Sequence, residues 1–229
     1  MLKVSIVIAV YNEKDSLAKV LEKIRAVDIG LEKEIIIVDG CSTDGTRDIL
    51  KERQGRDNCL KVIFEAEKNG KGKALRKGFA VATGDIILIQ DADLEIDPVD
   101  YPLLLAPILG GSSDIVYGSR FLKGRGKLNF INYFGNRFVT TVANIFFGAK
   151  LTDIETCYKV FRPGLIKGMD FLCDGFDFDA ELTAMFLKKR YTIREVPITY
   201  DPRNRQQGKK LRWTVALPSL AAIIRCKFK

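Results

Sequence analysis

Short runs of β-branched apolar residues alternate with segments of helical periodicity through the first half of the chain. Strands are predicted at 3–10, 34–38, 60–64, 85–90 and 115–117. Helices are predicted between them at 15–26, from Thr46 onward, and at 73–82. Strands and helices that alternate at this spacing indicate βαβ units. We therefore expect an α/β fold with a mainly parallel central sheet flanked by helices.

The second half of the chain lacks this regular alternation. Residues 118–127 form a basic, glycine-rich stretch, whereas 133–147 and 178–188 are predicted helices and 193–196 a strand. Residues 201–212 are rich in basic side chains and show no apolar periodicity. Because no internal repeat and no linker composition interrupts the sequence, all 229 residues are predicted to form one domain.

The absence of histidine restricts the chemistry that the chain can perform. It excludes Ser-His and Cys-His catalysis, and any metal would be held by oxygen ligands, which favours Mg²⁺ or Mn²⁺ over Zn²⁺. The five cysteines are scattered, with no C-x-x-C pair, as expected in a reducing cytoplasm rather than in a disulfide framework. The formal charge of +8 favours an anionic partner, namely nucleic acid, a phosphorylated substrate or an acidic membrane surface.

Neither a signal peptide nor a membrane-spanning segment is predicted. A strand-like run begins almost at the N-terminus, and the longest apolar runs, 101–109 and 215–224, are about half of the ~20 residues that a spanning helix needs. We expect a cytoplasmic protein that is soluble or peripherally attached to the cytoplasmic face of the membrane.

Polar side chains follow three of the predicted strands. Tyr11-Asn12-Glu13 follows the first, Asp39 the second, and Asp91-Ala92-Asp93 the strand at 85–90. In an open parallel sheet, ligands bind outside the carboxyl ends of the strands. At least four carboxylates are therefore expected in one crevice.

The pair Asp91 and Asp93 is the main candidate for a metal site. One residue separates them, so both side chains can turn towards one ion, and a Mg²⁺ or Mn²⁺ that bridges to a diphosphate would relieve their repulsion. Glu95 could supply a further ligand. A D-x-D sequence is also consistent with a solvated turn, but the apolar strand before it favours a functional site.

A glycine- and lysine-rich stretch at 69–75 opens a predicted helix. Its backbone N–H groups and a side chain such as Lys73 could bind phosphate, although the P-loop pattern is absent. An ordinary basic loop before a helix is the alternative.

Together, these motifs resemble glycosyltransferase family 2, with its GT-A fold, and in particular its dolichyl-phosphate mannose synthase-like members. The resemblance covers residues 1 to about 215. It is carried by Tyr11-Asn12-Glu13, VDGCSTDGT at 38–46, NGKGKAL at 69–75, Asp91-Ala92-Asp93, Gly118-Ser119-Arg120, TDIETCYKVFR at 152–162 and VPITYDPRNRQQGKKL at 196–211.

This resemblance implies roles for individual residues. The nucleotide sugar would be bound by Ala9, Tyr11, Glu13, Asp39, Lys73, Asp91, Ala92, Asp93 and Glu95. The metal would be held by Asp91, Asp93 and Glu95, and the acceptor phosphate by Ser119, Arg120, Arg137, Arg205 and Lys210. Asp91, Asp93, Arg120 and Arg205 would be the catalytic residues. Arginine suits such a phosphate because its planar fork forms two hydrogen bonds.

The resemblance also divides the chain and shows two departures. Residues 1–118 would be the nucleotide-sugar half, 119–211 the acceptor half and 212–229 a C-terminal helix that packs on the core or lies on a membrane surface. Ala9 stands where the family usually has proline, and Gly40 where it usually has a second aspartate. Both lie near the nucleotide pocket.

The function implied is metal-dependent, inverting transfer of a hexose, foremost mannose from GDP-mannose, to a polyprenyl phosphate. The alternative is a soluble family 2 enzyme that uses a UDP- or GDP-sugar and a glycan or protein hydroxyl acceptor, with Asp179 or Glu181 as general base. A remote alternative is a non-catalytic nucleotide- or nucleic-acid-binding protein. The basic loops lack interleaved aromatic residues, so no nucleic-acid partner is expected.

Overall fold

The computed structural model describes residues 2–124, 130–203 and 216–228, and within them a central sheet is flanked by helices. The strands are β1 (Lys3–Val10), β2 (Glu32–Asp39), β3 (Leu60–Phe64), β4 (Ile86–Asp91), β5 (Ile115–Ser119), β6 (Lys159–Phe161) and β7 (Arg194–Pro197). The helices are α1 (Lys14–Ala26), α2 (Thr46–Gln54), α3 (Lys71–Val81), α4 (Tyr101–Leu109), α5 (Phe130–Phe147), α6 (Phe178–Lys188) and α7 (Ala216–Phe228). Single 3₁₀ turns lie at Pro98–Asp100 and Pro163–Ile166.

The sheet has the strand order β3-β2-β1-β4-β6-β5-β7 across the described residues. The four strands β3-β2-β1-β4 are parallel to one another. Strands β5 and β7 are also parallel to each other, whereas β6 runs antiparallel to both β4 and β5. The prediction of an α/β fold with a mainly parallel sheet is confirmed. The antiparallel strand was not predicted, because three residues are too few to show a periodic pattern.

The core consists of the apolar strands and the helices that cover them. In β1 and β4, consecutive residues such as Ile6, Val7 and Ile8 are fully buried, as expected for strands covered on both faces. Helix α3 approaches β1 closely at Gly78, where an added Cβ would clash with Cγ1 of Val7. Glycine at this position therefore sets the distance between helix and sheet.

Several predicted boundaries differ from the observed ones by a few residues. Helix α3 begins at Lys71 rather than at residue 73, directly after Gly70, whose φ of 94° favours glycine. Helix α5 begins at Phe130 rather than at 133, and β4 extends to Asp91. Asp91 is therefore the last residue of a strand, and Asp93 lies in the bend beyond it.

Helices α5, α6 and α7 form a second layer beside the sheet. Ala143 of α5, Ala184 of α6 and Ile223 of α7 belong to one buried cluster. The opposite side of α5 is exposed and apolar over Phe130, Ile131, Phe134, Phe138 and Ile145. Within the described ranges, no helix is both long enough and apolar enough to cross a membrane.

Candidate active site

The strand register brings the predicted donor-site motifs to one edge of the sheet. Ala9 of β1 is paired with Val38 of β2 on one side and with Asp91 of β4 on the other, and Val10 is paired with Asp39. Since β1, β2 and β4 are parallel, the residues that follow them lie at the same edge. The convergence expected from the sequence is therefore present.

Arg203 joins three of the carboxylates at this edge. Its Nη1 lies 2.9 Å from Oε2 of Glu13 and its Nη2 3.0 Å from Oδ2 of Asp93. Its Nε is 3.8 Å from Oε1 of Glu95, and its backbone N–H donates to the same oxygen at 3.1 Å. The role of Arg203 was not predictable from the sequence, because its partners are 108 to 190 positions away.

The carboxylates concentrate negative charge around Asp93. Burial, followed by the charges of Asp91 and Glu95, raises the pKa of Asp93 to about 7, and Arg203 opposes this shift. The backbone N–H of Glu95 donates to Oδ1 of Asp93 at 3.1 Å, so both oxygens of Asp93 have partners. Crowded carboxylates that raise one another's pKa are a favourable environment for a cation.

The donor set fits a divalent metal in part. Aspartate oxygens are preferred ligands of Mg²⁺ and Mn²⁺, and the guanidinium of Arg203 shows that this pocket accepts a cation. Among the described residues, however, no three acidic or thiol side chains are grouped closely enough to hold an ion by themselves. An ion here would take Asp91 and Asp93 as protein ligands and need further oxygens from a diphosphate.

Lys71 is the lysine of the glycine-rich stretch that reaches this edge. Its Nζ lies 3.1 Å from Oδ1 of Asp91 and 3.1 Å from Oδ2 of Asp179. Lys73, the lysine selected in the sequence analysis, instead donates to Oδ1 of Asn69 at 2.7 Å. Residues two positions apart on a helix point in different directions, and the observed start of α3 places Lys71 on the side of β4.

The two carboxylates of α6 are engaged in structural contacts. Burial alone would raise the pKa of Asp179, but the positive charges of Lys159 and Lys71 hold this pKa below its usual value. The Nζ of Lys159 lies 2.9 Å from Oδ1 of Asp179. Glu181 is buried and accepts the backbone N–H groups of Leu172 and Cys173. A carboxylate with a lowered pKa takes up protons weakly, so Asp179 is poorly suited to act as a general base.

The predicted nucleoside end of the site lies beside Tyr11 and Asp39. Asp39 is buried and pairs with Nε of Arg47 at 2.8 Å, and the Nζ of Lys68 is 4.0 Å from the centre of the Tyr11 ring. Beside Gly40, the buried Glu65 binds Lys77 through Oε1 at 2.5 Å. Neither Arg47 nor Glu65 was selected from the sequence, where each resembles an ordinary charged residue.

The candidate acceptor residues that the structure describes form a neighbouring group. Arg120 is partly buried, and its Nε and Nη2 bind both oxygens of the fully buried Asp153, at 2.7 and 2.8 Å. Nη1 of Arg137 donates to the carbonyl of Thr152 at 2.9 Å. The buried Ser119 hydroxyl is 2.6 Å from that of Thr152, and Arg205 and Lys210 lie outside the described residues.

Tyr200 connects this group to the donor-site carboxylates. Its hydroxyl donates to Oε2 of Glu95 at 2.6 Å, and the Arg120 guanidinium lies 5.3 Å from the centre of its ring. An isolated bridge between Ile96 and Tyr200 fixes the backbone at the same place. The two groups of predicted site residues therefore adjoin. Ala92, between the two aspartates, is buried in the core, so its side chain does not face the crevice.

Comparison with known families identifies one match over most of the chain. The model of the family described as "Glycosyl transferase family 2" matches residues 5–168. This range includes the donor-site motifs and Arg120.

Curated relatives show about 30% identity. The dolichol-phosphate mannosyltransferase of Pyrococcus furiosus is 32% identical over 91% of this chain and 59% of its own length. The undecaprenyl-phosphate mannosyltransferase of Micrococcus luteus is 31% identical over 91% of this chain and 87% of its length. A hexosyltransferase of low-salt glycan biosynthesis from Haloferax volcanii is 31% identical, and the chain covers 48% of it. The chain thus spans only about half to three fifths of two of these relatives.

A solved structure shares the fold. Glucosyl-3-phosphoglycerate synthase of Mycobacterium tuberculosis, in complex with Mn²⁺, UDP and glucosyl-3-phosphoglycerate, superposes with a TM-score of 0.76. The superposition covers 98% of this chain and 80% of that one, at 20% sequence identity. At this identity the likeness concerns the fold.

Proposed function

Because this chain belongs to glycosyl transferase family 2 and has its GT-A fold, we propose that it transfers a hexose from a nucleotide sugar to a polyprenyl phosphate. Mannose from GDP-mannose is the proposed donor, since two of the relatives are named polyprenyl-phosphate mannosyltransferases. Residues 1–118 are proposed to bind the donor, and 119–211 the acceptor.

One observation carries this proposal. Glu13, Asp93 and Glu95 meet at one guanidinium, and Tyr200 links Glu95 to Arg120. An acidic group suited to a metal and a basic group suited to a phosphate therefore adjoin at the carboxyl edge of the sheet. Transfer between a metal-bound diphosphate and a phosphate acceptor needs this pair of environments.

Asp91 and Asp93 are the residues that would hold Mn²⁺ or Mg²⁺, with Glu95 beside them. When bound, such an ion supplies charge stabilisation for the departing nucleoside diphosphate. Structural neighbours of this fold have been crystallised with Mn²⁺ or Mg²⁺. The ammonium group of Lys71, which contacts Asp91, adds positive charge on the same side.

The proposed acceptor makes a general base unnecessary. A phosphate is anionic at neutral pH and can attack the anomeric carbon directly, with inversion of configuration. The structural engagement of Asp179 and Glu181 supports this mechanism, because it leaves neither well placed to remove a proton from a hydroxyl group. Arg120 keeps its positive charge in the buried site, since the neighbouring Asp153 raises its pKa despite the opposing effect of burial.

The exposed apolar side of α5 supports a peripheral contact with a membrane. Phe134, Phe138 and Ile145 are each more than half exposed, and Lys227 of the neighbouring α7 donates to the carbonyl of Phe146 in α5. Apolar side chains beside basic ones are typical of helices that lie on a bilayer surface. We propose attachment to the cytoplasmic face, where a polyprenyl phosphate would present its head group.

The test is a transfer assay with purified protein, Mn²⁺ and a short-chain polyprenyl phosphate. GDP-mannose is compared with GDP-glucose, UDP-glucose and UDP-N-acetylglucosamine, and the lipid-linked sugar is measured. We expect GDP-mannose to give the most product, with an anomeric configuration opposite to that of the donor. Asp91→Asn should lower kcat at least about 100-fold, because it removes a charged ligand.

Two results would contradict the proposal. The first is a transfer rate that does not change when polyprenyl phosphate is replaced by a glycan or protein that carries a hydroxyl acceptor. This result would favour the alternative of a soluble family 2 enzyme with a hydroxyl acceptor. The second is undiminished transfer by Asp91→Asn. Arg162→Met serves as the control, since Arg162 pairs with Asp114 at the opposite edge of the sheet.

A further inference from the structure

Arg203 occupies the centre of the proposed donor site. Its side chain is 18% exposed and contacts Glu13, which follows β1, and Asp93, which follows β4. The stretch that carries it is fixed at two further points, where the backbone N–H of Asp201 donates to the carbonyl of Glu95 at 2.8 Å and the N–H of Arg203 donates to its carboxylate. These contacts distinguish it from an ordinary surface ion pair.

The position of Arg203 conflicts with that of a metal ion. Oδ2 of Asp93 accepts from Arg203, and Oδ1 accepts from the backbone N–H of Glu95. Each oxygen keeps a second lone pair, so the conflict is one of charge: a divalent cation on Asp93 would lie next to the guanidinium of Arg203, which carries a competing positive charge. Two cations that share one carboxylate at this distance also repel each other.

We propose that Arg203 is an internal counter-ion of the donor site, which occupies the carboxylates of Glu13 and Asp93 until a metal–nucleotide diphosphate complex displaces it. The inference rests on the proposed function, because it takes Asp93 as the metal ligand. A free divalent cation then binds weakly, since it must displace Arg203 without offering the guanidinium a new partner. A nucleoside diphosphate brings such a partner, because its oxygens accept hydrogen bonds from the displaced arginine. Metal and nucleotide therefore bind together rather than separately.

The decisive experiment measures Mn²⁺ affinity without sugar transfer. Mn²⁺ alone is titrated into the wild-type protein and into Arg203→Met, with detection by electron paramagnetic resonance, and the titration is repeated with saturating GDP. We expect Arg203→Met to bind Mn²⁺ alone about tenfold more tightly, within the range of about 5- to 150-fold typical of coupled sites. With GDP present, the difference between the two proteins should shrink or reverse.

Two comparisons make the result specific. Glu13→Gln removes one anchor of Arg203 without touching the proposed metal ligands, so it should raise the affinity for Mn²⁺ alone in the same direction and to a smaller extent. Arg162→Met removes a cation at the opposite sheet edge and should leave the affinity unchanged. Thermal unfolding of each variant verifies that it is folded.

Equal or weaker binding of Mn²⁺ alone by folded Arg203→Met would overturn the inference, whatever the transfer assay shows. If Arg203→Met does not fold, an unchanged affinity in Glu13→Gln overturns it. Conversely, tighter Mn²⁺ binding by Arg203→Met in a protein that transfers no sugar would support the counter-ion and count against the proposed function alone.

Discussion

The ammonium nitrogen of Lys71 lies 3.1 Å from Oδ1 of Asp91, so the first residue of α3 is paired with the last residue of β4. The same nitrogen is 3.1 Å from Asp179 of α6. One partly buried cation thus joins a strand end of the proposed donor site to two helices.

Replacing Lys71 should impair both stability and the proposed transfer. Lys71→Met leaves Asp91 without this cation and Asp179 with Lys159 alone, so we expect the free energy of unfolding to fall by about 2–3 kcal/mol. The kcat of transfer should fall about 100-fold, because positive charge beside the diphosphate is lost. Within the described part of the chain, Lys73→Met loses the contact with Asn69, and the kinetics of the two variants decide which lysine serves the diphosphate. A larger loss in Lys73→Met would contradict the assignment.

The contact between α3 and β1 should not tolerate a methyl group at position 78. Gly78→Ala places Cβ against Cγ1 of Val7, and such overpacking costs about 1–3 kcal/mol, more than the helix propensity gained. Denaturant unfolding measures the loss. Because Val7→Ala removes the clashing methyl groups, the double variant should be more stable than the sum of the two single changes predicts. Additive effects would show that the clash is absent.

The carboxylate of Glu34 should make the stability depend on pH below about 4.5. Burial alone would raise the pKa of Glu34. Hydrogen bonds from Lys61, Ser5 and Thr83 outweigh this effect and lower the pKa from 4.5 to about 2. A lowered pKa stabilises the fold above the unfolded-state value, and this contribution is lost as the pH falls from about 4.5 towards 2.

The measurement for Glu34 is the difference in unfolding free energy between the wild type and Glu34→Gln. We expect Glu34→Gln to be less stable by about 1–2 kcal/mol at pH 7, after allowance for solvent screening, and the difference to narrow as the solution is acidified. Asp114→Asn, in an exposed pair with Arg162, is the control. A difference that stays constant from pH 7 to pH 3 would refute the assignment.

The exposed side of α5 should bind anionic bilayers. Replacing both Phe134 and Phe138 by serine removes two apolar side chains that are about 60% exposed, and we expect binding to anionic vesicles to weaken at least about tenfold. Co-sedimentation with vesicles measures the change. Leu103→Ser on α4, also at an exposed apolar position, is the matched control. Equal binding by all three proteins would exclude α5 as the contact surface.

The sequence was sufficient to predict the sheet edge, because each motif directly follows a recognisable strand. Asp39, Asp91 and Asp93 were therefore selected correctly as neighbours, although their roles remain predictions. The partners of these carboxylates were not predictable in the same way. Arg203 pairs with Glu13 across 190 positions, and no local pattern encodes such a contact.

Local geometry limited the remaining predictions. The choice of Lys73 over Lys71 depended on where α3 begins, and helix starts are uncertain by a few residues when a glycine-rich loop precedes them. Asp179 was considered as a general base because the sequence shows only a carboxylate near the start of a predicted helix. Its burial between Lys71 and Lys159 is a tertiary feature. Such features become visible only when the helices are packed on the sheet.

The short strand β6 has a consequence for the size of the site. It lies between β4, which ends at Asp91, and β5, which ends at Ser119 next to Arg120. Neighbouring strands are about 4.8 Å apart, so this insertion keeps the two strand ends about 10 Å from each other. Under the proposed function, these three residues of backbone would act as a spacer that separates the group releasing the sugar from the group receiving it.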